Sequence, residues 1–98
     1  PPAEIEDVLL QHPSVADAGC VGVIREHDGE EIPKAFVVLK PGVEPCEELE
    51  DDIKNFVEDR VAPYKKVRVV EFMDEIPKSA TGKILRKDLK NVPVVAKA

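Results

Sequence analysis

The stretch Val15-Ala16-Asp17-Ala18-Gly19-Cys20-Val21-Gly22-Val23-Ile24 is apolar and β-branched with small residues interleaved, and a second apolar run, Ala35 to Lys40, lies just beyond it. The segment between them, Arg25 to Glu31, is polar, so the two runs predict a β-hairpin. Upstream, Ile5, Val8 and Leu9 recur at helical spacing between Pro2 and Gln11. Glu4, Glu6 and Asp7 lie near the positive end of that helix, and Pro13 ends it. Downstream, Pro41-Gly42 and Pro45 break the chain. Leu49, Ile53, Phe56, Val57 and Val61 then form the apolar stripe of a helix over Cys46 to Val61, closed by Pro63. Val67 to Phe72 alternates as a third strand, whose inward face the pattern leaves open. A short last helix, Ile84 to Leu89, carries Leu85 and Leu89 one turn apart. This order predicts an α+β fold, a small three-stranded sheet with packed helices.

A chain of 98 residues is one domain by length. With no Trp, one Tyr and three Phe, its core is aliphatic and modest, which does not read as a stand-alone enzyme with a deep ligand pocket. Cys20 and Cys46 follow no metal-ligand spacing, and 35% charged residues is unlike a disulfide scaffold, so a reduced compartment is expected. There is no apolar run long enough for a membrane span and no leader pattern; opening on Pro1-Pro2-Ala3-Glu4 reads as the interior of a longer protein.

Charge is split along the chain. Residues 1–59 hold sixteen acidic side chains against four basic, whereas residues 60–98 hold ten basic against four acidic. The C-terminal third would therefore attract a polyanion that the rest repels. A non-catalytic module using this basic third is the competing reading from another class. For stacking on bases the region offers only Tyr64 and Phe72, so no nucleic-acid partner is expected.

The segment with chemical content is Ile76-Pro77-Lys78-Ser79-Ala80-Thr81-Gly82-Lys83-Ile84-Leu85-Arg86-Lys87. Small residues between two lysines, placed between a strand and a helix, predict an exposed, mobile basic loop. Gly82 frees the backbone just before Lys83, and Ile84 and Leu85 anchor the next turn in the core. The Gly-Lys pair is not a P-loop: Pro77 stands where that motif needs a glycine, and Ile84 where it needs Ser or Thr.

The same segment resembles the C-terminal lysine motif of the adenylate-forming enzymes, which include acyl-CoA synthetases, coumarate-CoA ligases, beetle luciferases and the adenylation domains of peptide synthetases. The resemblance extends over Pro2-Ala3-Glu4-Ile5-Glu6, His12-Pro13-Ser14-Val15-Ala16-Asp17-Ala18 and Pro63-Tyr64-Lys65-Lys66. It implies that residues 1–98 are the mobile C-terminal lid domain of a two-domain AMP-forming ligase. The large N-terminal domain, with its phosphate loop, acyl pocket and the hinge, would precede Pro1. In one orientation the lysine matching Lys83 would serve carboxylate adenylation by ATP, with Mg2+ accompanying the nucleotide and Thr81 and Gly82 giving the loop its flexibility. In a rotated orientation the positions matching Tyr64, Lys66 and Arg68 would contact CoA. Arg86 and Lys87, basic at a helix start where the dipole disfavours them, either meet an acidic or anionic partner, expected on the other domain, or are merely solvated. The resemblance leaves open a luciferase-like monooxygenase or an enzyme that loads a carrier protein. It implies that the isolated domain is inactive. Location is expected to be cytoplasmic, with the peroxisome as alternative, since Ala96-Lys97-Ala98 matches the Ser-Lys-Leu signal only at its lysine. Cys46 stands where a Ser or Thr cap is usual, and a thiol is expected to cap poorly. His12, His27 and Cys20 show no catalytic or metal-binding pattern.

Overall fold

A computed structural model describes residues 2–92, so Pro1 and the tripeptide Ala96-Lys97-Ala98 lie outside the described residues. The order is α1 (Pro2–Leu10), β1 (Val15–Ile24), β2 (Glu31–Leu39), α2 (Glu47–Glu58), a 3₁₀ turn (Pro63–Lys65), β3 (Val69–Phe72) and α3 (Arg86–Lys90). The predicted hairpin is present: β1 and β2 pair antiparallel from Val15 opposite Leu39 to Ile24 opposite Glu31. β2 starts four residues earlier than the apolar run indicated, because the turn is shorter than the polar segment. Arg25 N–H bonds the Glu30 carbonyl and Gly29 N–H the Arg25 carbonyl, each at 2.8 Å. The Arg25 guanidinium locks the same turn by pairing with Asp28 and Glu30.

β3 joins β2 in parallel, giving the sheet order β1-β2-β3. Two parallel strands cannot be joined by a tight turn, and α2 supplies the crossover. Pro33 sits in the central strand one residue before β3 begins to pair at Lys34. There its missing N–H costs no ladder bond to β3, and its carbonyl accepts from Arg68 N–H at 3.1 Å.

The core lies on both faces of this sheet. On one face α1 and α2 bring Ile5, Leu9, Ile53 and Val57 against Ala18, Cys20, Ala35, Val37 and Val70. On the other, Val21 and Phe36 meet Ile76 and Leu89, with Ile84 and Met73 packed beside them. This settles the facing of β3: Val70 turns toward the helices, while Glu71 pairs with the nearly buried Lys34 at 3.1 Å. Lys34 also stands 4.7 Å from the Phe36 ring centre.

Other boundaries also differ from the sequence reading. α2 ends at Glu58 rather than Val61, with Asp59 as its C-cap. β3 begins at Val69, although Val67 is still buried in the core. α3 begins at Arg86 because Ile84 is held in a bridge to Lys78, which keeps the chain extended until Leu85. The Cys46 cap is also better than expected: its Sγ accepts Leu49 N–H at 3.4 Å, and Glu47, Glu48 and Glu50 complement the first turn. Among the described residues no helix is long and apolar enough to cross a membrane.

Candidate active-site lysine and the opposite face

Lys83 sits in a narrow hairpin rather than an open loop. Lys78 and Ile84 form its antiparallel bridge. Ser79 N–H donates to the Lys83 carbonyl at 2.8 Å, Gly82 N–H to the Ser79 carbonyl at 2.9 Å, and Lys83 N–H to Ser79 Oγ at 3.2 Å. Ser79 Oγ also lies 3.0 Å from Thr81 Oγ1, which gives Thr81 a place within the turn. Gly82 has φ +85°, a left-handed conformation that costs other residues strain, so the glycine is needed for the turn itself.

The two lysines of the segment have different fates. Lys78 Nζ is spent on Asp17 at 2.7 Å. Lys83 is exposed, and its ammonium makes no ion pair or hydrogen bond among the described residues. A free cation at the end of a four-carbon stem, next to a rigid turn, is suited to reaching an anion outside the domain. Holding the turn in place, Ile76 and Ile84 pack into the second core cluster, over Gly19 of β1. Any side chain at Gly19 would collide with Leu89, since a Cβ there would stand 2.8 Å from Leu89 Cδ1.

Arg86 corrects an expectation. Its side chain is turned into the domain: Nη1 and Nη2 engage both carboxylate oxygens of Glu6, and Nη1 donates to the Cys20 carbonyl at 2.8 Å. Those bonds to Glu6 raise the Arg86 pKa further. Glu6 in turn accepts Cys20 N–H at 2.7 Å, so the pair covers the outer edge of β1. Lys87 remains exposed.

Tyr64, Lys66 and Arg68 gather elsewhere. The 3₁₀ turn leaves Tyr64 78% exposed and places Lys65 on Glu4 at 2.6 Å. That bond, and then the charge of Lys65, lowers the Glu4 pKa below its ordinary value. Arg68 is exposed and Lys66 half-buried, and neither side chain has an ion-pair partner among the described residues. Tyr64 and Lys65 border a groove of about 270 Å³ with Ile5, Cys20, Gly22 and Pro33. Ile5 and Cys20 belong to the helix-covered face, whereas the Lys83 hairpin packs on the other. Tyr64 and the Lys83 hairpin therefore lie against opposite faces of the sheet, while Lys66 and Arg68 do not line the groove.

Glu6 was missed as a site-supporting residue, and a signal for it existed. It falls on the apolar stripe of α1 beside Ile5 and Leu9, where an acid needs a partner. His12 is a structural joint: Ser14 N–H donates to its Nδ1 at 3.0 Å, so Nε2 bears the proton and donates to Asp52 at 2.7 Å. Its ring meets Phe56 edge-on at 5.0 Å. Burial pushes the Cys20 thiol up to about 12, so it is inert.

Comparison with known proteins finds the same small α+β fold again. The family model described as AMP-binding enzyme C-terminal domain matches residues 4–83, ending on Lys83. A 4-coumarate-CoA ligase 1 from Oryza sativa subsp. japonica is 52% identical over 89 residues, 91% of this chain and 15% of that protein. The 4-hydroxybutyrate-CoA ligase 1 of Metallosphaera sedula is 43% identical over 89 residues, 91% of this chain and 16% of its own length. Among solved structures, a benzoate CoA ligase from Burkholderia xenovorans LB400 superposes with a TM-score of 0.84 at 48% identity, covering 92% of this chain and 18% of that one. The chain belongs to the AMP-binding enzyme C-terminal domain family, the C-terminal domain of the adenylate-forming superfamily. It spans about a sixth of the length of these relatives.

Proposed function

We propose that this domain is the C-terminal lid of an ATP-dependent acid-CoA ligase and that Lys83 is its adenylating lysine. In the first half-reaction a carboxylate oxygen attacks the α-phosphorus of ATP. The acyl-AMP bond forms, the bond to the β-phosphate breaks, and pyrophosphate leaves. Negative charge builds on the oxygens around that phosphorus, and Lys83 would neutralise it from a turn that is already ordered. In the second half-reaction a thiol sulfur attacks the acyl carbon and AMP leaves. Tyr64, Lys66 and Arg68 would then face CoA, the tyrosine against the base and the cations against phosphate. The names of the three relatives given above, each a CoA ligase, support CoA as acceptor.

The observation that carries this reading is that Lys83, free among the described residues, and the exposed Tyr64 lie against opposite faces of one sheet. Presenting both in turn to one active site would call for two poses of the lid. Rotation of the lid between the half-reactions would resolve this and would exclude water from the acyl-AMP each time. ATP, the acid and most of CoA would be bound by the large N-terminal domain. Mg2+ would accompany ATP in the large domain; among the described residues no group of three or more acidic, His or Cys side chains could hold it.

The test is a pair of full-length variants of a ligase carrying this domain. Lys83→Ala should abolish most acid-dependent ATP–pyrophosphate exchange, and the triple alanine variant of Tyr64, Lys66 and Arg68 should leave exchange intact while raising KM for CoA. Normal exchange by Lys83→Ala would remove the assignment.

A further inference from the structure

Both arms of the Lys83 hairpin are fastened to one strand, β1. On the entering arm the bond is Lys78 to Asp17, whose side chains are 38% and 31% exposed, and a solvated pair of that kind holds weakly. The leaving arm is held far more firmly by Arg86. Its guanidinium grips both oxygens of Glu6 and the Cys20 carbonyl, while Glu6 also takes Cys20 N–H. The Arg86 side chain is 37% exposed, but Glu6 retains only 7% exposure, so this is a charge-assisted, bidentate clamp on a sheltered carboxylate.

Only Ile84 and Leu85 separate the clamp from Lys83, and neither is slack. Ile84 is bridged to Lys78 and packs on the second core cluster, and Leu85 N–H bonds the Pro77 carbonyl at 2.9 Å. A shift at Arg86 is therefore passed along a stiff connection to the lysine backbone.

We infer that Arg86 is a positioning residue for Lys83: fixed by Glu6 and the Cys20 carbonyl, it sets the direction in which the lysine leaves the domain, without touching substrate. This rests on the reading of Lys83 as the adenylating lysine. The planar fork is essential, because a lysine at this position would bring one charge but could not span both Glu6 oxygens and the carbonyl together. A misplacement of about 1 Å at a reacting group costs up to about a hundredfold in rate, so adenylation is where loss of the clamp would show.

Arg86→Lys and Glu6→Gln, both mild in volume, would be made in a full-length ligase carrying this domain, each alone and on a Lys83→Ala background. Acyl-AMP formation and thiol attack on supplied acyl-AMP would be followed separately, with melting temperature as a check on folding. Each single variant should slow adenylation by about ten- to a hundredfold while thiol attack stays near wild type. On the Lys83→Ala background neither should add a further loss, since the effect passes through the lysine. Wild-type adenylation by Arg86→Lys while Lys83→Ala is slow would overturn the proposal. So would an equal fall in both half-reactions, or a further fall on the Lys83→Ala background. Normal adenylation by Lys83→Ala would instead locate the failure in the lysine assignment, and the positioning role would go with it.

Discussion

Leu89→Ala should detach the Lys83 side of the domain. α3 is a five-residue helix, too short to persist without packing, and Leu89 is its one buried side chain, at 1% exposure. It lies with Val21, Phe36 and Ile76 in the smaller of the two core clusters, so few neighbours can move in to fill the space it leaves. Deleting a buried leucine to alanine costs about 2–5 kcal/mol, and about 3 kcal/mol is the expectation here. For a domain of this size each kcal/mol lowers the melting temperature by about 4–8 °C, which predicts a fall of about 12–24 °C. Leu10→Ala is the matched control: the same atoms are removed from a side chain 47% exposed, and the change should stay within about 0.5 kcal/mol. Thermal unfolding by circular dichroism, with hydrogen exchange at the amides of Leu89 and Val92, reads both. A loss below about 1 kcal/mol for Leu89→Ala, or equal losses for the two leucines, would refute the claim that this side chain holds α3 to the sheet.

Four further outcomes are expected. A thiol reagent at mild pH should label the exposed Cys46 and spare Cys20 until the protein unfolds. Because the folded Cys20 ionises at about 12 against an ordinary 9.0, the unfolded chain loses that proton first, and stability should decline as pH rises above about 9. Gly82→Ala, with its open surroundings but φ of +85°, should cost about 1 kcal/mol through backbone strain alone and should disturb adenylation more than melting. The triple alanine variant of Tyr64, Lys66 and Arg68 should raise KM for CoA in steady-state assays with acyl-AMP formation nearly unchanged, and equal damage to both steps would mark the turn as structural.

The elements that carry strong patterns were legible from residues alone. Val15 to Ile24 is apolar and β-branched with small residues interleaved, and Leu49, Ile53 and Val57 repeat at helical spacing, so β1 and α2 were placed within a few residues. Boundaries failed where tertiary bonds overrode local preference. Ile84 and Leu85 look helical, yet the bridge to Lys78 and the Pro77 carbonyl hold them extended. The parallel pairing of β3 with β2 was not legible either, because register depends on which partner a four-residue strand meets. For the site, Lys83 and its glycine stood out in sequence. The difference between Lys78 and Lys83 did not, since it depends on Asp17, distant in sequence. Arg86 was misread for the same reason: its partner, Glu6, is at the opposite end of the chain.

The central claim is that Lys83 acts in acyl-AMP formation and not in thiol attack. Single-turnover kinetics of Lys83→Ala in a full-length ligase, started once from acid and ATP and once from supplied acyl-AMP and CoA, tests it most directly. A preorganised cation facing developing charge is worth about 3–4 kcal/mol, so adenylation should fall by about 10²–10³. Thiol attack and the melting temperature should stay near wild type, because an exposed lysine with no ion-pair partner among the described residues adds little to stability. Adenylation at the wild-type rate, or loss of both half-reactions together with the melting temperature, would contradict the account.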